Sequence, residues 1–310
     1  MAWEDICDCD VVDKERLALF RDRLRRWKEH VGGTDVHSIE NQISNLLWDD
    51  AVFRTFNEAR RLHVETRDPS TGYFGSVIEL LDKNFMDSQV MAIRRLVDKE
   101  CYDPDRAVVS FPTIIAEIKE AAQLYTRENY VCYDGAPYTE TATDNERVSG
   151  TVYGRHHQYD LLTDCPAGSR SRTDGINPGV FDHLAKEQGE FKRLKTYANK
   201  YLAHAADPGN RGKAQSELDK ISLCEFDRCY RALFRTASLT GLLIDQYVCC
   251  EVPTPQFDQL KDWDKPIATT ADRNKLRQYW CHRVGEIDRW REEARFEDRQ
   301  RPGNRKQEDS

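Results

Sequence analysis

The chain has 310 residues, of which 39% are hydrophobic and 32% are charged, and its formal net charge is −8. Because an acidic chain repels nucleic acid in bulk, any contact with RNA or DNA would need a local basic patch. The low counts of glycine (16) and proline (11) argue against an all-β fold, which needs many turns.

Neither a secretion signal nor a membrane span is expected. The chain starts with the acidic Glu4 and Asp5, where a signal peptide carries a basic region. The most apolar stretch, residues 237–244, ends at Asp245 and is far shorter than the roughly 20 residues of a spanning helix. The ten cysteines form no paired CxxC zinc pattern. We therefore expect a cytoplasmic protein with reduced thiols.

Two helices are predicted at the start of the chain, because apolar residues recur there at helical spacing. The first covers residues 13–31 and stops at Gly32 and Gly33. The second begins after a cap at Thr34 or Asp35 and continues to about residue 64.

A third helix is predicted over residues 74–99. Seven apolar residues form its predicted buried side: Val77, Leu80, Leu81, Phe85, Val90, Ile93 and Val97. A fourth helix begins with Ser110 as its N-cap and Pro112 in its first turn, and it is predicted to continue to about residue 130.

The helical periodicity disappears between residues 133 and 178, which are rich in Gly, Thr, Asp and Ser. We interpret this stretch as a long irregular insertion, with a short hairpin around residues 151–153. A connection of this length is uncommon in a compact domain and is usually functional or mobile.

Three further helices are predicted, over residues 180–206, over residues 214–247, and after a Pro-containing linker at residues 252–266. The last has an apolar stripe consisting of Leu276, Trp280, Val284, Ile287 and Ala294. Together the helices predict an all-α, up-and-down bundle of six or seven helices. We divide the chain into an N-terminal helix (1–33), the bundle (34–250) and a C-terminal part (251–310).

One helical face ending at His204 is unusually polar. Positions at helical spacing before this residue are Lys200, Tyr197 and Arg193, with Tyr201 beside them. One interpretation is a site for an anionic group, with the histidine supplying acid–base chemistry. The alternative is an ordinary helix end, where cations interact favourably with the negative end of the helix dipole.

Two segments carry a family resemblance. Residues 92–99 (AIRRLVDK) are followed by Ser110 and Phe111 at the start of the next helix, and they are similar to a helix pair of the pattern apolar-x-R-L-x-D-K … S-(L/F). Residues 199–207 (NKYLAHAAD) are similar to the signature R-(N/D)-K-x-x-A-H-x-D. Both patterns belong to the abortive-infection-U-type branch of the HEPN superfamily. The chain therefore resembles this branch between residues 34 and 247.

The resemblance implies a helical bundle, usually a homodimer, in a prokaryotic defence or toxin–antitoxin system. In its RNA-cleaving members the 2′-hydroxyl attacks the neighbouring phosphate, while the motif histidine moves protons and the motif arginine stabilises charge. His204, Asn199 and Lys200 match the motif, whereas Ala198 stands where the family has arginine. Two hypotheses about function follow. The first is a metal-independent endoribonuclease using His204, and the second is an inactive module that binds RNA, a nucleotide or a protein partner such as an antitoxin.

Three arginines are candidates to replace the missing motif arginine. Arg193 lies on the polar face, and Arg94 or Arg95 could reach the site from the third helix. Arg94 and Asp98 are spaced i,i+4, however, so an ion pair is the favoured interpretation. A third hypothesis is an unrelated helical scaffold in which the motif match is coincidence.

No metal or cofactor is expected. One loop cluster was considered, comprising His156, His157, Asp160, Asp164 and Cys165, but its spacing matches no known pattern of metal ligands.

The first helix offers the best local basic patch, because Arg21, Arg25 and Lys28 fall on one face. A solvated helix face is the favoured interpretation.

Overall fold

The computed structural model describes residues 9–66, 75–99, 108–138, 150–165, 169–202 and 221–248, with shorter stretches at 253–254, 257–261, 274–282 and 284–286. The chain divides into two compact units, Met1–Thr254 and Pro255–Ser310. Within the described residues there is no β-strand, and only Thr126 and Gly175 form an isolated bridge. The all-α class is thus confirmed.

Nine α-helices are described in the first unit. They are α1 (Lys14–Gly32), α2 (Ile39–Thr66), α3 (Ser76–Val97), α4 (Phe111–Glu120), α5 (Arg127–Cys132), α6 (Gly150–Asp160), α7 (Gly179–Gln188), α8 (Lys192–Tyr197) and α9 (Leu223–Leu243). Short 3₁₀ turns at Ala122–Leu124 and Gly189–Phe191 join neighbouring helices, and a π-helical turn at Ala198–Leu202 follows α8.

Side-chain caps explain where several helices begin. Asp13 accepts a hydrogen bond from the Arg16 N–H at 2.9 Å and starts α1. Ser110 starts α4 as predicted, and its Oγ accepts from the Thr113 N–H. Helix α2 begins after Ser38, whose Oγ accepts from the Asn41 N–H, rather than at the predicted Thr34 or Asp35.

The predicted fourth helix is interrupted, which corrects the expectation of a continuous helix to about residue 130. Helix α4 ends at Glu120, and a 3₁₀ turn leads to Thr126, which caps α5 by accepting from the Asn129 N–H at 3.3 Å. The cap gives the backbone a local alternative to continuing the helix. The short helix that follows is buried at all six of its residues.

The short hairpin expected around residues 151–153 was wrong, because residues 150–160 form helix α6. Helix α6 packs against α5 and buries Val152 and Tyr159, together with the polar Arg155 and His156. A helix that buries polar residues shows no clean apolar period, so its sequence resembled an irregular segment.

The main core lies between α1, α2, α3, α4 and α9, with α7 and α8 completing it. Of the predicted buried side of α3, its C-terminal half is confirmed, since Phe85, Val90, Ile93 and Val97 are buried. Its N-terminal half is not: Val77, Leu80 and Leu81 are exposed. Among the described residues, neighbouring helices bury the apolar face of α3 only along its C-terminal half.

In the second unit, residues 274–282 and 284–286 are helical. Leu276, Trp280 and Val284 of the predicted apolar stripe are exposed there, while the remainder of the stripe lies outside the described residues. Among the helices described in either unit, none combines the length and apolar character that crossing a membrane requires.

Candidate functional site

The end of the first motif segment contacts α8, the helix that leads into the second motif segment. The Lys195 ammonium of α8 donates to the Val97 carbonyl at the end of α3 at 2.9 Å, and it lies 3.7 Å from the Asp98 carboxylate. The Asp98 carbonyl accepts from the Ser110 hydroxyl at 2.7 Å, which attaches the start of α4. We call this meeting of α3, α4, α8 and the π-helical turn the α3–α8 junction.

The π-helical turn carries the first residues of the second motif. Asn199 is exposed and Lys200 is half-buried, whereas Ala198 is completely buried in the main core. A continuous α-helix over residues 180–206 was expected, so the π-helical turn is a correction. Such turns are rare and occur frequently at functional sites.

His204, the expected proton-transfer residue, lies outside the described residues. The described part of the motif ends at Leu202. The spatial relation of the histidine to the other motif residues therefore stays a prediction.

Tyr197 and Tyr201 form a stacked pair beside Lys200. Their ring centroids are 5.1 Å apart and their planes differ by 27°. Burial raises the pKa of Tyr197, and the nearby carboxylate of Asp87 and the Tyr201 phenol add to the effect. The Tyr197 phenol consequently stays neutral at physiological pH, and both tyrosines are half-buried.

Two of the three candidate replacement arginines are already engaged. Arg193 forms an ion pair with Glu225 of α9, and the predicted pairing of Arg94 with Asp98 is confirmed at 3.2 Å. Arg95, in contrast, is exposed and lines a groove at the end of α3.

A network of buried charges surrounds α5 and α6, and sequence reasoning missed it. The Arg127 side chain is completely buried and pairs with Asp160 at 2.7 Å and Asp174 at 2.8 Å. The nearly buried Arg155 pairs with Asp134 at 2.8 Å and with Asp245 at 2.9 Å. These pairs join elements distant in sequence, so spacing along one helix could not reveal them.

The loop cluster considered for metal binding is part of this network. Asp160 is held by Arg127 and by Arg170, whose guanidinium lies 2.5 Å away. Burial by itself would raise the pKa of Asp160, but the hydrogen bonds and charges of Arg170 and Arg127 outweigh it and lower this pKa. Within the described ranges, no three His, Cys, Asp or Glu side chains are placed to hold a metal ion.

The basic face of α1 is only partly exposed to solvent, which corrects the expectation of a fully solvated helix face. Arg21 is buried, and Lys28 donates to the Tyr133 hydroxyl and to the Asp245 carbonyl, each at 2.8 Å. Burial lowers the pKa of Lys28 to about 8; Asp245 opposes this shift and Arg155 adds to it. Only Arg25 of the three is exposed.

Comparisons with known proteins found no match: no family model, no curated protein and no solved structure is significantly similar to the chain. The HEPN resemblance therefore rests on the two motif segments. The structural observation that bears on it is the contact at the α3–α8 junction between the first segment and the helix that leads into the second.

Proposed function

We propose that the chain is a HEPN-like protein of a prokaryotic defence or toxin–antitoxin type system that binds RNA at the α3–α8 junction. In this proposal it binds RNA without cleaving it, because the arginine of the family's arginine–histidine pair is missing. The observation that carries this proposal is the complete burial of Ala198. At the position of the family's arginine the side chain faces the core, so a guanidinium there could not reach a bound phosphate.

The neighbouring cations support the same conclusion. A guanidinium that stabilises the developing charge of a phosphodiester must be free to donate to it. Arg94 and Arg193 instead form ion pairs with Asp98 and Glu225. Binding without cleavage needs less, because a cation to pair with phosphate and rings to stack on bases suffice.

The residues around the π-helical turn meet that lesser requirement. Lys200 supplies a cation and Asn199 an exposed amide, and the Tyr197–Tyr201 pair supplies ring faces. Stacking of a base on an aromatic side chain contributes about 1–3 kcal/mol. The chain's charge of −8 favours a confined site of this kind over a broad basic surface.

A binding experiment tests the proposal. Fluorescence anisotropy with labelled single-stranded RNA is expected to show saturable binding that Lys200→Gln weakens by about tenfold, or 1.4 kcal/mol. Lys192→Gln is the matched control, because Lys192 is an exposed lysine at the start of α8. Absence of saturable binding, or equal effects of the two substitutions, would overturn the proposal.

A second candidate is the metal-independent endoribonuclease, with Lys200 taking the role of the missing arginine and His204 moving protons. The observation that favours it is the half-exposed Lys200 on a π-helical turn within the motif. Cleavage of RNA in the presence of a chelator, with 2′,3′-cyclic phosphate ends and loss of activity in His204→Ala, would establish this function instead of binding alone.

The resemblance also implies a homodimer and a protein partner such as an antitoxin. Light scattering during size-exclusion chromatography measures the first directly. A mass equal to one chain at all concentrations would remove the homodimer from the proposal.

A further inference from the structure

A groove lies at the end of the first unit where α1 and α3 finish and α2 begins. Its volume is about 640 Å³, within the usual range for small-ligand sites. The charged or titratable residues in its described lining are Glu29, His30, Asp35, His37, Arg95 and Asp98. None of the motif residues on the π-helical turn is among its described lining residues.

Three basic side chains of the groove are available to a ligand. Arg95 and His37 are exposed, and His30 is half-buried. Within the described part of the chain, their guanidinium and imidazole groups form neither an ion pair nor a hydrogen bond. A guanidinium with its planar set of donors suits a phosphate, and each imidazole adds one or two N–H donors.

Two of the three carboxylates in the groove are already engaged. Asp98 is paired with Arg94 at 3.2 Å and lies 3.7 Å from the Lys195 ammonium. Asp35 accepts from the His37 backbone N–H at 2.6 Å and so belongs to the turn before α2. Their negative charge is therefore partly compensated inside the protein.

The remaining lining groups suit the organic part of a ligand. Glu29 offers a carboxylate that can accept a hydrogen bond from a hydroxyl or amino group. Val108 and Val109 provide an apolar wall on the α4 side of the groove. The groove volume of about 640 Å³ also falls in the range of sites that hold whole small organic molecules.

We propose that this groove binds a small organic phosphate monoester, with its phosphate against Arg95, His30 and His37 and its organic part between Glu29 and the two valines. The monoester is favoured over the diester of an RNA backbone because it carries up to two negative charges and three terminal oxygens for the three basic groups.

Isothermal titration with the full chain tests this proposal. The probes are adenosine 5′-monophosphate, ribose 5-phosphate, inorganic phosphate and adenosine. At least one of the two monoesters is expected to bind about tenfold more tightly than inorganic phosphate and adenosine.

Substitutions locate the binding. Arg95→Gln and His37→Gln are each expected to weaken monoester binding by about tenfold. Arg231→Gln and His183→Gln, which alter exposed residues of α9 and α7, are the matched controls. Because both groove substitutions change exposed side chains, circular dichroism is expected to show an unchanged fold.

Three results would overturn the proposal: no binding of either monoester, equal affinities for the monoesters and inorganic phosphate, or affinities that the groove substitutions leave unchanged. Failure here is distinct from failure of RNA binding at the α3–α8 junction. The RNA test depends on Lys200, which is not among the described lining residues of the groove.

Discussion

The Asp245 carboxylate accepts a hydrogen bond from Nε of Arg155 at 2.9 Å, just beyond the C-terminus of α9. Asp245 has a φ of 48°, in the left-handed region that usually favours glycine at helix ends. The Gln246 N–H donates to the Gly241 carbonyl at 2.9 Å, which closes the helix end. An aspartate occupies this position because its Oδ2 also accepts from the Tyr133 hydroxyl at 2.7 Å. One residue thereby joins α5, α6 and α9.

Asp245→Ala is expected to lower the free energy of unfolding by roughly 3 kcal/mol, because it deprives a buried guanidinium of one carboxylate. Asp245→Asn is expected to cost clearly less, since asparagine tolerates the left-handed region and keeps an acceptor oxygen. Urea unfolding followed by tryptophan fluorescence measures both. Asp182→Ala, at an exposed position in α7, is the control. Equal losses for the alanine and asparagine variants would contradict this account.

Arg127 makes stability depend on acid pH through its two carboxylate partners. Burial by itself would raise the pKa values of Asp160 and Asp174, but their hydrogen bonds and the arginine charges lower both below the ordinary 3.8. A lowered pKa contributes stability above the ordinary pKa, and this contribution is lost as the pH falls through the lowered value.

Arg127→Met is therefore expected to lower the free energy of unfolding at neutral pH by roughly 3–5 kcal/mol, the cost of breaking a buried pair. Its deficit relative to the wild type is expected to shrink as the pH falls below about 4. Urea unfolding at both pH values measures the change, with Arg231→Met as the exposed control. A deficit that is equal at both pH values would refute the role of the carboxylates.

Lys28 is expected to make the protein more stable at alkaline pH. Its pKa is about 8 in the folded chain against the ordinary 10.5, so between these values the unfolded chain binds more protons. The contribution of Lys28 to stability therefore rises with pH between these two pKa values, by on the order of 2 kcal/mol. It is lost as the pH falls through 8.

The measurement compares the wild type with Lys28→Met at about pH 7 and about pH 9.5, since the tyrosines common to both proteins largely cancel. The stability of the wild type relative to this variant is expected to increase with pH. Lys83→Met, at an exposed position in α3, is expected to show no such trend. A relative stability that falls with pH would mean that the Lys28 pKa is not lowered.

Ala198→Arg is expected to destabilise the protein by more than about 3 kcal/mol and to create no nuclease activity, because it forces a charge into a close-packed core. Asn199→Arg, at the exposed next position, is expected to change stability by no more than about 0.5 kcal/mol. Thermal unfolding measures the stability of both variants, and an RNA cleavage assay measures their nuclease activity. A well-folded and active Ala198→Arg protein would show that this position can turn towards a substrate.

Local signals in the sequence were sufficient for much of the helical framework. The N-cap at Ser110, the end of the first helix at the Gly32–Gly33 pair and the buried Ile93 and Val97 of α3 all agree with the structure. Each depends on residues within a few positions of one another, where spacing and capping chemistry act directly. Helix α6 escaped prediction because its buried face contains Arg155 and His156, which spacing rules count as polar.

The sequence by itself determined that the chain is helical, and it singled out two motif segments far apart along the chain. The tertiary structure decided that the first segment contacts the helix leading into the second, through Lys195 and the end of α3. It also decided that Ala198 faces the core and that Arg193 is held by Glu225. Helix formation follows from local periodicity, whereas burial and ion pairing depend on partners that only folding brings together.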